Sequence, residues 1–297
     1  MPSTFVDTEI TSQPQVWRLA AALAPDVAEA MPRPGERVAV VGCGTSWFIA
    51  MSYAVLREQA GQGVTDAFAG SEYPTGRTYD RVVAISRSGT TTEVVELLGL
   101  VTGPTTLITA VPGSPATEVA GTTVAMPFAD ERSVVQTRFA TSALTLLRSS
   151  LAHTGDTGFA LDALVADGAA ALQVDVDDLL AAEQCTFLGR GWCFGLATEA
   201  ALKTREAAQF WAESYPSMDY RHGPIAIAEP GRLVWSFGTA PEGLAGEVAA
   251  TGARFVQHDL DPQAGLVVAQ RFAVALAQAR GLDPDNPRSL TRSVILT

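Results

Sequence analysis

Lysine is almost absent from this chain of 297 residues, since Lys203 is the only one and all other basic residues are arginine. An ammonium group is compact and its pKa shifts readily on desolvation, whereas a guanidinium is always charged and rigidly forked. A site that needs a point cation or a mobile proton would resist replacement of lysine by arginine. The alternative is a lysine left by chance in an arginine-rich composition.

Cysteine, long apolar runs and positive charge are also scarce. The three cysteines show no CxxC spacing, which favours a reduced cytoplasmic protein over a disulfide or zinc scaffold. No run of 18 apolar residues occurs and the start lacks a basic leader, so we expect neither membrane insertion nor export. The net charge of −12 argues against nucleic acid as a partner, whereas an anionic small substrate remains possible because local fields decide binding.

Apolar strands alternate with helical segments along the chain and predict an α/β fold with parallel sheets covered by helices on both faces. The strand–glycine–helix pattern opens at Val38 and again at Phe187, which indicates two similar halves. We expect a helical segment over 1–34, a first domain over 35–154, a helical linker over 155–182 and a second domain over 183–297. A helix is predicted from about Val134 to Leu151.

Two loops carry hydroxyl groups where a predicted strand turns into a helix. They are GCGTSW, from Gly42 to Trp47, and SRSGTT, from Ser86 to Thr91. Backbone N–H groups and the helix dipole favour an anion at such a turn, so each loop is a candidate phosphate site. Ser and Thr are also ordinary N-cap residues, and that interpretation competes with the first. Two loops leaving one sheet favour a single phosphate pocket.

A charged stripe runs along the predicted helix that contains the lysine. Glu199, Lys203 and Glu206 stand at i, i+4 and i+7 and therefore share one face. Most other positions of this helix are small and apolar, which indicates a buried helix whose charges face one another or a cleft. The competing interpretation is a buried ion pair that only helps to dock the helix.

The segment GRGWCFG resembles a dinucleotide fingerprint in its glycine spacing. A nicotinamide site would need an acidic residue at the end of a strand about 20 residues further on. The segment at that distance, QFWAESYPS, does not read as a strand. A nicotinamide enzyme is therefore disfavoured.

Histidine is also rare, and of His153, His222 and His258 only His222 lies in a suggestive setting, in MDYRHGP. An imidazole titrates near neutral pH and is suited to moving protons. A loop histidine bonded to backbone is the plain alternative. His153 and His258 are interpreted as structural.

Taken together and in order, these segments resemble the double-domain form of the sugar isomerase (SIS) family, above all the isomerase half of glucosamine-6-phosphate synthase and its deaminase relatives. The matching segments are TEITSQP, CGTS, SRSGTT, ERSVVQTR, LGRG, EAALKTRE, HGP and PRSLTRSV. The resemblance implies two tandem SIS domains, each a parallel sheet between helices in a flavodoxin-like three-layer sandwich.

The resemblance also implies roles for residues. Glu206 matches the base that moves a proton between C1 and C2 of an open-chain sugar, Lys203 the lysine one turn earlier, and His222 the ring-opening histidine. In the family this histidine comes from the neighbouring subunit, so a homodimer is implied. The implied sugar and phosphate contacts are Gly44, Thr45, Ser46, Ser86, Arg87, Ser88, Thr91, Val135, Gln136 and Arg292.

Chemistry agrees with these roles. Proton removal beside a carbonyl needs a carboxylate held out of bulk water, and a nearby cation stabilises the enediolate that forms. This reaction requires no metal and no cofactor, and we expect neither.

The chain departs from the synthase pattern at several positions. Arg87 replaces a glutamine in the phosphate loop, and Arg292 stands where the synthase has a lysine near its C-terminus. The synthase's glutaminase domain has no counterpart here, so we expect no use of glutamine as ammonia source. The SVVQTR turn is more similar to the deaminase branch.

Deamination with isomerisation of glucosamine 6-phosphate to fructose 6-phosphate is therefore the leading hypothesis for function. An aldose–ketose isomerase and a dehydratase that eliminates the C3 substituent of an N-acetylamino sugar phosphate share the same first step. A phosphosugar sensor without catalysis is the rival class, since it would need the hydroxyl loops but not the base.

Overall fold

The computed structural model describes residues 4–296. The chain forms two compact units, each with its own parallel sheet flanked by helices. The five-stranded unit comprises Gln15–Arg132, Arg138–Leu161 and the described residues from Thr291 onward. The four-stranded unit comprises the chain up to Pro14 together with Ser133–Thr137 and Asp162–Leu290. The α/β fold class is confirmed.

The five-stranded unit follows the order β2-β1-β3-β4-β5, with every neighbouring pair parallel. This is the flavodoxin order, in which the direction of winding reverses between β1 and β3. Its strands are β1 (Val38–Gly42), β2 (Thr65–Ala69), β3 (Arg81–Ile85), β4 (Thr105–Thr109) and β5 (Thr122–Ala125). Its helices are α2 (Gln13–Leu23), α3 (Thr45–Gln59), α4 (Thr92–Leu100), α5 (Pro115–Val119) and α6 (Arg138–Thr154), of which α2 begins two residues before the unit does.

Apolar strand residues build the core of this unit. The central strands β1, β3 and β4 are buried along their whole length, as two-sided parallel strands require. Val41, Ala84 and Leu107 pack in one cluster with Val94 and Leu97 of α4.

The four-stranded unit has the order β7-β6-β8-β9, again parallel throughout. Its winding reverses between β6 and β8, so the order of its strands repeats the first four of the other sheet. The strands are β6 (Gln184–Gly189), β7 (Ala212–Pro216), β8 (Arg232–Phe237) and β9 (Arg254–Gln257). The helices are α1 (Phe5–Thr11), α7 (Leu161–Ala171), α8 (Cys193–Ala208), α9 (Leu244–Ala250) and α10 (Pro262–Ala279).

Helix starts in this unit follow from capping residues. Thr4 and Asp7 form a reciprocal capping box that begins α1. Asp261 caps α10 through the backbone N–H of Gln263, with Pro262 at the first helical position. Leu188, Val234 and Tyr220 pack with Leu244 and Val248 of α9 to form the core cluster.

Two sequence-based expectations were wrong. The segment after the GRGWCFG turn does contain a strand, β7, although Glu213 is its second residue and not its last, so the ribose contact of a nicotinamide site is still unmatched. The helix predicted from Val134 begins only at Arg138, because the Glu131 carboxylate accepts the Arg138 backbone N–H at 2.6 Å and sets the start there.

The predicted linker 155–182 contains α7 and a 3₁₀ turn at Asp177–Leu179. The structure also assigns residues 4–14 to the four-stranded unit and residues 291–296 to the five-stranded one, so neither unit is a single stretch of chain. Within residues 4–296, no helix combines the length and the apolar character that crossing a membrane demands.

Candidate active site

Helix α8 carries the charged stripe on one face. The Lys203 Nζ lies 3.7 Å from Glu199 Oε1 and forms an ion pair with the Glu206 carboxylate. Lys203 and Glu199 are buried, whereas the Glu206 side chain retains 19% of its exposure. Glu206 is therefore the carboxylate of this cluster that a solvent-borne molecule can reach.

Burial makes these charges interdependent. Removing an ammonium from water is unfavourable unless opposite charges compensate it, and here two carboxylates do so. The arrangement holds an ammonium beside the more accessible carboxylate, which suits a proton acceptor next to a developing oxyanion. A docking ion pair alone would need only one of the two carboxylates.

A turn preceding α6 is fixed from α1 in the same unit. Glu9 is buried and accepts hydrogen bonds from the backbone N–H and the hydroxyl of Ser133. The Ser133 hydroxyl oxygen also lies 2.8 Å from the carbonyl oxygen of Val135. Val135 and Lys203 line one small crevice, so the predicted turn and the lysine come together.

Sequence reasoning missed Glu9, although it lies in the quoted TEITSQP segment. Its role comes from a contact with Ser133, 124 residues away, which no local spacing signals. Next in the turn, Gln136 is half-buried, and its Oε1 has no hydrogen-bond partner among the described residues. A buried amide oxygen of this kind is normally satisfied by water or a ligand.

His222 ends a 3₁₀ turn, Asp219–His222, and is exposed. The two residues before it hold it in place. Tyr220 is fully buried in the core, and Arg221 forms a bidentate ion pair with Glu247 at 2.7 and 2.9 Å. Among residues 4–296 no hydrogen bond or ion pair engages His222, so a fixed segment presents a solvent-facing imidazole.

Both hydroxyl loops leave the five-stranded sheet at its switch point. Thr45 and Ser46 follow β1, while Ser86 and Ser88 follow β3. In open α/β sheets, ligands bind outside the carboxyl ends of the strands at this point. Gly42 makes the close approach possible, since a Cβ there would lie 2.6 Å from the backbone of Ser46.

The hydroxyl groups of the second loop are oriented by hydrogen bonds within that loop. Ser86 Oγ accepts the Gly89 N–H at 3.2 Å, and Ser88 Oγ accepts the Thr90 N–H at 3.2 Å. Each of these hydroxyls accepts a backbone N–H and keeps its own proton to donate.

The N-cap interpretation of the loops is disfavoured. Thr91 occupies the N-cap of α4 without a side-chain capping bond, and the N-cap of α3 is Gly44, which has no side chain to offer. The N–H groups of Ser46 and Trp47 donate to the carbonyls of Cys43 and Gly44, whereas the Thr45 N–H has no acceptor among the described residues.

Arg87 is buried among protein groups. Its Nη1 lies 3.6 Å from the Glu131 carboxylate and its Nη2 donates to the Arg292 carbonyl at 3.0 Å. The Arg292 guanidinium in turn donates to the Glu131 carbonyl and pairs with Asp130. Two arginines and two acids thus tie the loop to the C-terminal segment.

The C-terminal segment makes further contacts with the same loop. The Thr92 N–H donates to the Val294 carbonyl at 3.2 Å, the Leu296 N–H to Thr92 Oγ1 at 2.9 Å, and the Thr90 hydroxyl to Ser293 Oγ at 2.8 Å. We call residues 291–296 the tail. It fixes the loop but leaves Thr91 outside these contacts.

The candidate residues fall into two groups, each held together by its own unit. The four-stranded unit contains Lys203, Glu206, His222, Val135 and Gln136. The five-stranded unit contains Gly44, Thr45, Ser46, Ser86, Arg87, Ser88, Thr91 and Arg292.

Comparison with known proteins gives the following likenesses. A glutamine–fructose-6-phosphate aminotransferase (isomerizing) of Aeropyrum pernix is 32% identical over 270 residues, which cover 72% of this chain and 43% of that protein. The glucosamine-6-phosphate deaminase of Thermotoga maritima superposes with a TM-score of 0.82 at 22% identity, covering 99% of this chain and 100% of that one. The chain shares its fold.

The tagatose-6-phosphate ketose/aldose isomerase of Escherichia coli gives a TM-score of 0.81 at 20% identity, covering 99% of this chain and 96% of that one. The chain spans about half the length of the curated relatives it matches. No family model matches it. The resemblance noted in the sequence is thus confirmed for the fold, in which two parallel sheets are flanked by helices.

Proposed function

We propose that this protein is a phosphosugar enzyme that removes the C2 proton of an open-chain amino-sugar 6-phosphate, and that it converts glucosamine 6-phosphate to fructose 6-phosphate and ammonia. The observation that carries the proposal is the α8 cluster, in which the buried Lys203 lies beside the partly accessible Glu206. Positioned general bases of this kind contribute about 10²–10⁴-fold to a rate.

In the proposed mechanism, Glu206 accepts the C2 proton and returns it to C1. The electron pair of the C–H bond moves into the C1–C2 bond, and the C1 oxygen becomes an oxyanion that the Lys203 ammonium stabilises. Protonation at C1, with transfer of an amino proton to the C1 oxygen, leaves an imine at C2, which water hydrolyses to the ketone with release of ammonia. His222 would pass the ring hydroxyl proton when the sugar ring opens.

The 6-phosphate is assigned to the loops after β1 and β3. The hydroxyls of Ser86 and Ser88 retain donor protons, and the Thr45 N–H at the start of α3 has no acceptor among the described residues. Thr45, Ser46 and Thr91 would complete the contacts, with Gly44 allowing the backbone to approach. Gln136 would satisfy its buried amide oxygen with a sugar hydroxyl.

Arg87 and Arg292 are assigned a supporting role. The guanidinium of Arg87 is engaged by Glu131 and by the tail, so we propose that it acts on phosphate binding through the position of the loop. Arg292 would act in the same way through Asp130.

Two tandem SIS domains and a homodimer complete the proposal. The same order of the first four strands in both sheets supports the repeat. The exposed His222, fixed by Tyr220 and Arg221, supports a histidine that serves the site of a second subunit.

An aldose–ketose isomerase is the second candidate, because the same proton transfer without an amino group yields it and because the fold is shared with a ketose/aldose isomerase. Elimination at C3 of an N-acetylated sugar would make the protein a dehydratase.

The assay offers glucosamine 6-phosphate, N-acetylglucosamine 6-phosphate and fructose 6-phosphate, and measures ammonia, ketose and ultraviolet-absorbing enone separately. Release of ammonia and ketose from the first substrate is expected.

Glu206→Gln should lower this turnover by about 10²–10⁴-fold while phosphosugar binding persists. The matched control is Glu96→Gln, which removes an exposed carboxylate from α4. Full activity of Glu206→Gln would refute the assigned base. Binding of sugar phosphates by the wild type without any turnover would make the protein a sensor.

A further inference from the structure

A cavity lies at the carboxyl ends of the strands in the four-stranded sheet. It has a volume of about 320 Å³, within the range of small-molecule sites. Trp192 and Cys193 line it after β6, Thr239 after β8, and Gln257, His258 and Asp259 around the end of β9. Strands β6 and β8 flank the switch point of this sheet, the position where ligands bind in open α/β folds.

The backbone of the phosphate turn is repeated here. A Cβ on Gly189 would lie 2.2 Å from the Cys193 carbonyl oxygen, just as a Cβ on Gly42 would lie 2.6 Å from the backbone of Ser46. Each glycine ends the first strand of its sheet and passes under a helix that starts three or four residues later. Position by position, Trp192 and Cys193 therefore stand where Thr45 and Ser46 stand.

The chemistry of the two turns differs. An indole and a thiol replace two hydroxyls after the first strand. After the neighbouring strand, Gly238 and Thr239 follow Phe237 where Ser86 and Arg87 follow Ile85. The hydroxyl groups that suit a phosphate in the first sheet are absent here, although a cavity is present.

Charge also argues against an anion. Asp259 is the one charged side chain among the described residues that line the cavity. Burial lowers the pKa of His258, so its imidazole is neutral at neutral pH. The His258 ring packs on Trp235 at 5.3 Å, and its Nε2 is buried without a hydrogen-bond partner in the described chain. Such a nitrogen is stabilised when a ligand or water binds it.

We propose that this cavity binds an unphosphorylated sugar ring, in particular a hexose or hexosamine. The indole of Trp192 offers an apolar face to the C–H groups of the ring. Gln257, Asp259 and Thr239 supply the amide, carboxylate and hydroxyl groups that bind ring hydroxyls. The carboxylate further favours a ring that carries an ammonium.

The test uses the full chain and three probes, namely glucose, glucosamine and N-acetylglucosamine. Their binding is measured by calorimetry and ligand-observed NMR. For a ligand of this size we expect a Kd on the order of 1 mM. Trp192→Ala should weaken binding at least about tenfold, since it removes the stacking face. Trp211→Ala, which removes an exposed indole outside the cavity, is the matched control and should change nothing.

Further arms separate the alternatives. Asp259→Asn keeps the shape of the cavity, should weaken glucosamine more than glucose, and tests the site if Trp192→Ala fails to fold. Sugar binding that Ser86→Ala abolishes and Trp192→Ala spares would place the ligand at the hydroxyl loops and overturn the proposal. Preference for adenine or uracil over every sugar would also overturn it.

The outcome is independent of the proposed enzymatic activity. Turnover of glucosamine 6-phosphate should persist in Trp192→Ala, because Glu206 lies more than three helical turns further along α8. Loss of turnover in Glu206→Gln should in turn leave binding of the three free sugars unchanged.

Discussion

Lys203 lies on the buried face of α8 beside Glu199, whose carboxylate is also fully buried. Because both groups are buried, each is stabilised by the opposite charge of the other. Glu206 differs because part of it reaches the surface. The single lysine is therefore structural toward one neighbour and, in the proposed reaction, functional toward the other.

Substitutions at Lys203 should separate these two roles. Lys203→Met removes the cation that pairs with the buried Glu199 carboxylate and should lower the free energy of unfolding by about 3–5 kcal/mol. Lys203→Arg keeps a positive charge and should retain more stability, yet lose turnover by about 10²–10³-fold because the fork cannot reproduce a point charge.

Urea denaturation and steady-state kinetics measure both effects. Arg254→Met, which breaks the exposed pair with Asp178, is the control and should lower stability by less than about 1 kcal/mol. Equal stability of Lys203→Met and the wild type would contradict the structural role.

At this scale the sequence predicts the α8 cluster because its members lie within two helical turns of one another. Glu9 and Glu131 escaped prediction, since their partners come from distant parts of the chain or from the backbone. A carboxylate's partner cannot be identified from local spacing when the contact depends on tertiary packing.

How well each strand or helix could be predicted depends on how clear its apolar pattern is. The central strands are apolar runs that indicate buried parallel sheet, and they were identified. Strands β2 and β7, each beside the first strand of its sheet, are half-exposed and contain polar residues, so they lack that signal. The continuous apolar pattern predicts the helix that contains Lys203 over 195–210, and α8 is observed at Cys193–Ala208.

Gly189 should not tolerate a side chain. Because a Cβ would approach the Cys193 carbonyl at 2.2 Å, Gly189→Ala must displace the start of α8 and should lower stability by about 1–3 kcal/mol or more. Gly99→Ala is the matched control, since nothing lies within 4 Å of its Cβ position at the end of α4. There the change should be neutral or stabilising by about 0.5–1 kcal/mol. The midpoints of denaturant unfolding of the two variants measure this difference in stability. Equal midpoints would count against the close contact at Gly189.

The tail should act on the phosphate loop through Arg87. Deletion of residues 291–297 and Arg87→Gln should each raise the KM for the sugar phosphate and leave kcat nearly unchanged, since both changes remove contacts that position the loop assigned to the phosphate. The double variant should be no worse than the deletion alone, because both changes remove the same contact between Arg87 and the tail. Steady-state kinetics of the four proteins measure this. Additive effects on KM would instead indicate that Arg87 contacts the phosphate directly.

The whole molecule contains two sheets with the same order of their first four strands but different loops at their switch points. Repetition of the order was expected from the two strand–glycine–helix openings. The exchange of chain ends between the units was not, because it depends on where 4–14 and 291–296 pack and not on their own pattern. Fold class is thus readable from periodicity, whereas the boundaries of the units require tertiary contacts.

Mixing of inactive variants should reveal a site shared between subunits. If His222 serves the neighbouring subunit, Glu206→Gln and His222→Ala proteins, unfolded and refolded together, should recover about a quarter of wild-type activity, since half of the dimers then contain one intact site. Each variant refolded alone should remain inactive and is the control. Absence of recovery with proven heterodimers would show that His222 serves its own subunit.

A lone buried lysine also makes the protein a reporter of its own opening. A protease that cleaves only after lysine has one possible target here, the bond following Lys203 in the middle of α8. That bond becomes accessible only when the helix unwinds, so the cleavage rate measures the free energy of opening at this helix. Two fragments from a single cut would make the measurement readable on a gel, and a bound phosphosugar that contacts α8 should slow it.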